Sequence, residues 1–200
     1  MLEPELLAFG QKFHGHNCPA MPTGLRTGLA AMKALGVERA PDGQLMALVE
    51  IDEDHCATCW ADGVQVATGC TLGKGNIRKL NYGKWGLTLI DKKTQRSVRV
   101  VPRTEAMMKN KQSKFMELQS SGIPASQIDP AVADPLVQMV SSAPDEMLLN
   151  VGPVQPHAWQ DPPHTFESVV CSACGEMVVE RNARLKGGKP VCKPCSGYEK

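Results

Sequence analysis

The chain has 200 residues, 22 of them basic and 21 acidic, a formal net charge of +1 and eight cysteines. That length buries one medium core with room for a small appendage, and the balanced charge excludes a global pull toward nucleic acid or an anionic membrane. The acidic opening "MLEPELLAFGQKFHGH" lacks a basic start, and no window reaches the roughly eighteen apolar residues of a membrane span, so a cytoplasmic chain is expected. Thiols stay reduced there, and eight cysteines then point to metal or redox chemistry rather than disulfides.

From Leu25 the apolar residues fall at Leu25, Leu29, Met32 and Leu35, one stripe of a helix that starts near Asn17 and Pro19 and ends at Gly36. "QLMALVEI" (44 to 51) reads as a buried strand, and "CATCWADGVQVATG" (56 to 69) as a helix closed by Gly69. "KWGLTLIDKKTQRSVRVVP" alternates on both sides of a polar break at 91 to 95, which predicts a hairpin. A helix is expected over 104 to 121, with a polar centre that breaks its apolar stripe. "ADPLVQMVSSA" suits a short helix with Asp134 as cap and Pro135 in its first turn. The fold class is α+β, helices packed on an antiparallel or mixed sheet, over residues 1 to 152. Prolines then crowd "GPVQPHAWQDPP", each removing a donor and fixing φ, so 153 to 167 is read as a semi-rigid linker, with His157 and His164 solvated in it. Residues 168 to 200 form a separate module.

That module carries Cys171 and Cys174, then Cys192 and Cys195, two C-x2-C pairs seventeen residues apart. Each such turn offers two thiolates along one edge of a tetrahedron, and together they close a structural zinc site. So short a segment builds no adequate core of its own, and the metal folds it. The alternative is two surface dithiols that bind nothing. Six Lys or Arg stand against three Glu there; a zinc tetrathiolate subtracts two units and Tyr198 is the lone aromatic, a poor nucleic-acid footprint. A protein contact or a dimer role is favoured for this zinc ribbon.

The remaining thiols, Cys18, Cys56, Cys59 and Cys70, accompany His14, His16 and His55 in three short segments at element ends, where a helix amino terminus lowers thiol pKa and exposes the sulfur. A single buried cysteine is usually a small hydrophobe; the concentration of thiols and imidazoles favours a site. Convergence of two helix starts with a post-helix loop predicts a second metal on His16, Cys18, Cys59 and Cys70, with His14 as alternative imidazole or supporting partner. Thiolate and imidazole together favour zinc, with nickel or iron as alternatives. Whether His55 or Cys56 joins is left open.

These residues carry a resemblance to the E-subunit family of formylmethanofuran dehydrogenase. Its His-Gly-His, Cys-Pro and Gly-x-Arg pattern is matched by His14, Gly15, His16, Cys18, Pro19, Gly24 and Arg26. A second block is similar at Cys59, Asp62, Gln65, Thr68, Gly69, Cys70, Thr71, Gly73, Lys74, Gly75 and Asn76. Ala20 stands where the family usually has Gly, Trp60 and Gly63 also depart, and Cys56 is an extra thiol. The resemblance implies an α+β core, a carboxy-terminal zinc finger, intertwined dimers, and a regulatory, interaction or metal-sensing role beside a molybdenum or tungsten enzyme.

Other motifs weigh less. "HCATC" suits a thioredoxin-like dithiol, but no βαβ frame is read downstream. "GCTLGKGN" has three residues between its glycines where a phosphate loop needs four, and Gly75 replaces the magnesium-binding hydroxyl; Lys74 remains a candidate contact for an anionic group. The expectation is a metal-binding accessory, regulatory or metal-sensing protein. It is expected to be a homodimer whose ribbons exchange and to meet a protein partner through the ribbon. The alternative is a metal- or thiol-dependent enzyme, redox or hydrolytic, at the core His/Cys site, with no catalytic residue assigned.

Overall fold

The computed structural model describes residues 1–53, 58–163 and 165–198; His55, Cys56 and His164 lie outside the described residues. The chain divides into two units, Met1–Trp159 and Gln160–Lys200.

The first unit opens with a helix the sequence reading did not anticipate, α1 (Pro4–His14), which starts on Pro4 and stops where Gly15 takes φ 91°. Next come α2 (Ala20–Leu35), β1 (Leu45–Val49), α3 (Thr58–Thr68), β2 (Ile77–Lys79), β3 (Leu87–Asp91) and β4 (Arg96–Pro102). The hairpin β3–β4 turns on Asp91, whose carboxylate accepts from Lys93 N and Thr94 Oγ1. The single helix expected over 104 to 121 is two, α4 (Thr104–Lys111) and α5 (Lys114–Ser120), because the Ser113 hydroxyl accepts from Met116 N and caps a new start. After it comes α6 (Pro130–Ser142), which begins earlier than expected: Asp129 caps it, Pro130 fills its first turn, and Pro135 lies inside. Asp134 is engaged instead as acceptor for Asn17 Nδ2 at 2.6 Å. The unit closes with α7 (Asp145–Leu148), β5 (Leu149–Val151) and β6 (Gln155–Pro156).

The mixed sheet runs β2-β1-β3-β4-β5, with β6 also paired to β4. Among the described strands only β1 and β2 are parallel, so β1–α3–β2 is a crossover unit of the kind the sequence reading does not find. Residues at the start of the expected linker belong to the sheet: Ser97 pairs with Gln155, and His157 N and Trp159 N both donate to Gln95.

Helix α2 lies at the centre, with Met21, Leu25, Ala31 and Leu35 buried. Burying each large apolar side chain there contributes about 1.5–3 kcal/mol. It meets α3 at van der Waals limit: a Cβ on Gly24 would lie 1.9 Å from the Trp60 carbonyl oxygen, and one on Gly63 2.0 Å from that of Met21. Trp60 Nε1 donates to Thr27 Oγ1 within this contact. Arg26, 3 % exposed, donates to the carbonyls of Val140, Ser141 and Ala143 and pairs with Asp145. It satisfies the orphan acceptors at the end of α6, so the Gly-x-Arg signature is a packing device.

The second unit holds the hairpins β7 (Ser168–Val170) with β8 (Met177–Val179) and β9 (Arg184–Lys186) with β10 (Lys189–Val191), followed by α8 (Lys193–Ser196). Its described residues bury only Cys171, Val191 and Ser196. A unit with so little apolar burial needs a cross-link to stay folded.

Candidate metal centres

Three helix ends assemble the core cluster. His14 is the last residue of α1, and the left-handed turn at Gly15 sends the chain back so that His16 stands beside it, ring centroids 4.1 Å apart. Cys18 precedes the amino end of α2, and Cys59 lies in the first turn of α3. One donor atom from each of His14, His16, Cys18 and Cys59 lies within 4.8 Å of the other three. His14 Nε2 is 3.1 Å from His16 Nε2 and 3.6 Å from Cys18 Sγ, and Cys59 Sγ is 3.9 Å from His16 Nε2. A tetrahedron built from ordinary zinc–nitrogen and zinc–sulfur bonds has N···N edges of about 3.3 Å and N···S edges of about 3.6 Å. The donor set therefore fits a four-coordinate soft or borderline ion.

Behind the cluster, Asp62 Oδ2 accepts from His14 Nδ1 at 2.7 Å, and Gln65 Nε2 steadies the other carboxylate oxygen at 3.2 Å. This fixes the tautomer that presents Nε2 to an ion. Burial alone would push the His14 imidazole down, but hydrogen bonds to Asp62 and Cys59 outweigh it and raise it to about 9. The two thiols share one proton: the hydrogen bond with Cys59 lowers Cys18 below the ordinary thiol range, while the same bond, with burial, pushes Cys59 up to about 12.

Not every expected residue arrives. Cys70 is fully buried among the apolar side chains between sheet and helices, and burial is the main cause of its raised pKa. The post-helix loop that carries it lies outside the cluster, and the end of α1 supplies the third segment instead, so His14 is a direct donor. Lys74 Nζ donates to the carbonyls of Ala40 and Pro41 at 3.1 Å each, a loop clamp rather than an anion contact. The sequence reading did not pick out Asp62 and Gln65 as site residues. The spacing of Asp62 at i+3 from Cys59, and of Gln65 at i+3 from Asp62, was the available signal.

In the second unit Cys171, Cys174, Cys192 and Cys195 come together, every Sγ within 4.8 Å of the others. Cys171 and Cys174 flank the tight turn between β7 and β8, where Gly175 adopts φ 78°; Cys192 caps α8 and Cys195 lies in it. Cys174 Sγ is 4.0 Å from Cys192 Sγ, against about 3.8 Å for a zinc tetrathiolate edge. Backbone amides of Cys192 and Cys174 aimed at Cys171 hold its thiol down at about 6, while its sulfur neighbours, Cys192 first, push Cys195 up to about 12.

An α+β core with two histidines and two cysteines clustered at converging helix ends, joined to a four-cysteine module, marks a metal-binding protein with two candidate centres. The sequence model described as "FmdE, Molybdenum formylmethanofuran dehydrogenase operon" matches residues 13–150, and the chain belongs to this family. A probable S-adenosyl-L-methionine-binding protein of Archaeoglobus fulgidus is 33 % identical over 204 residues, which cover 96 % of this chain and 52 % of that protein. The chain thus spans about half the length of this curated relative. The fold is shared with a tungsten formylmethanofuran dehydrogenase FmdE-like protein from Syntrophus aciditrophicus (TM-score 0.61, 24 % identity, 96 % of this chain and 91 % of that one). No helix among the described residues is long and apolar enough to cross a membrane.

Proposed function

We propose that the protein is a metal-binding accessory or regulatory module, with a sensing or structural ion in the core and a structural zinc in the four-cysteine unit. One observation carries this reading: His14, His16, Cys18 and Cys59 supply four donors at tetrahedral spacing. A fully protein-ligated ion has no position left for water or substrate, which is the mark of a structural or sensing site. The donor set favours zinc, with nickel or iron as alternatives. The name of the Archaeoglobus fulgidus relative describes a chain about twice as long, and none of the donors at either centre implies binding of S-adenosyl-L-methionine.

The proposal extends to a cytoplasmic homodimer that exchanges its carboxy-terminal units and meets a protein partner through them. Sedimentation as a monomer at micromolar concentration would refute the dimer. The metal reading is tested by X-ray absorption on the full chain carrying Cys174→Ser and Cys192→Ser, which isolates the core site. Two nitrogen and two sulfur ligands are expected. Three protein ligands plus an oxygen would instead favour a metal-dependent enzyme.

A further inference from the structure

The sulfur edge of the core cluster faces a cavity of about 310 Å³. Cys18 and Cys59 line it, and Trp85, Met107, Phe115 and Met116 are among its apolar lining residues. Helix α4 has no buried residue of its own; Ala106 packs against the core while Met107 and Met108 line this cavity. Methionine-rich walls adapt to varied apolar ligands, and a cavity of this size with few polar groups is the usual form of a small-molecule site.

Two polar groups qualify what fits. Asn110 Oδ1, in the wall, is buried and accepts no hydrogen bond among the described residues; an acceptor in that state costs free energy until a donor reaches it. Lys111, exposed on the same helix, brings a cationic group to the cavity. We propose that the cavity binds a small apolar organic anion bearing an N–H or O–H donor. Its body packs on Met107, Phe115 and Met116, its donor faces Asn110 Oδ1, and its charge lies at Lys111. The occupant touches the sulfur side of the metal centre, but the inference stands without the metal reading.

The probe is 8-anilinonaphthalene-1-sulfonate, which combines an aromatic body, an N–H and an anion, titrated into the full chain and followed by dye emission and by energy transfer from tryptophan. One saturable dye per chain is expected. Met107→Trp, which fills the cavity, weakens binding by about tenfold or more, and Lys111→Glu by several-fold, while Lys114→Glu on α5 leaves it unchanged. N-phenyl-1-naphthylamine, which lacks the sulfonate, binds the parent chain more weakly and is indifferent to Lys111→Glu. Equal dye affinity in Met107→Trp with an unchanged melting curve overturns the proposal. So does dye binding that fades as chain concentration rises, because a second copy then fills the cavity. If Met107→Trp fails to fold, the Lys111→Glu comparison with the two dyes decides alone. Metal content measured on the same samples keeps the two readings apart: its loss from the parent chain sinks the metal assignment and leaves the dye result standing.

Discussion

Metal uptake by the core centre is expected to expel the protons held by His14 and Cys59. In the apo cluster His14 titrates at about 9 and Cys59 at about 12, so both are protonated near neutral pH, whereas Cys18 is the lowered member of the thiol pair. An ion held by His14 Nε2 and Cys59 Sγ displaces both protons, and its apparent affinity then rises about a hundredfold per pH unit up to the region of the His14 value. Asp62→Asn removes the carboxylate that holds the His14 proton and lets the imidazole fall back toward the ordinary value of about 6.5. Above that value the His14 proton is no longer expelled, and the slope falls by about one proton, or tenfold per unit, between roughly pH 7.5 and 8.5. Loss of the orienting acceptor also lowers affinity about 10–100-fold. The assay is chelator competition for zinc across this range, in the full chain carrying Cys174→Ser and Cys192→Ser, with proton release checked calorimetrically in two buffers of different ionisation enthalpy. A one-proton slope in the unmodified cluster, or a two-proton slope that survives Asp62→Asn, would refute the reasoning.

Cys70→Ser is expected to keep full metal content yet lower stability by about 1–3 kcal/mol, the cost of a hydroxyl in an apolar site, as read by metal analysis and thermal melting. Gly63→Ala drives a Cβ to 2.0 Å from the Met21 carbonyl oxygen and should cost more than about 3 kcal/mol in denaturant titration. Arg99 holds the Glu50 carboxyl below its usual range through two 2.7 Å bonds. With the folded value depressed, that stabilisation is present above the unfolded pKa of about 4.3 and lost as pH falls through the folded one. Glu50→Gln should therefore flatten the acid limb and cost about 1 kcal/mol at neutral pH, modest because Arg99 is 46 % exposed. Cys192→Ser should release one zinc per chain and expose residues 160–198 to protease while the melting of the first unit persists; simultaneous unfolding of both units would contradict their independence.

Much of this fold could be read from pattern because its signals are local. Apolar spacing marked α2, alternation marked the β3–β4 hairpin, and two C-x2-C pairs marked the second centre. What pattern could not supply were the outcomes of competition. Nothing local distinguishes a Ser113 hydroxyl that restarts a helix from one that merely sits in it, and Asp129 and Asp134 are both plausible caps for α6. The core cluster was legible as a set of residue types, but the structure gathers His14 where Cys70 was expected. Cys70 shares its loop with a motif-like run of glycines, but β1 and β2 pair in parallel and draw that loop to the sheet, away from the helix ends where His14 waits. Helix α1 escaped notice because its apolar residues divide between a half-buried side, Leu6 and Leu7, and an exposed one, with Phe9 and Phe13 more than half exposed.

Gly24 of the first signature block, Gly63 of α3 and the candidate metal donors belong to one geometric problem. Cys18 and Cys59 sit at the amino ends of α2 and α3, and the distance between those sulfurs is set by how closely the helices approach a turn or so further on. Gly24 and Gly63 mark that approach, since a single Cβ at either would have to displace backbone oxygen by more than about 1 Å, several times the roughly 0.2 Å tolerance of a coordination bond. Trp60 and Thr27 lock the same contact by a hydrogen bond, and Arg26 ties α2 to the end of α6 from the other side. Residues that touch no ion thus decide whether a tetrahedron can close. Among the described residues of the second unit no helix packing performs this task, and there a bound ion would hold the two hairpins and α8 together.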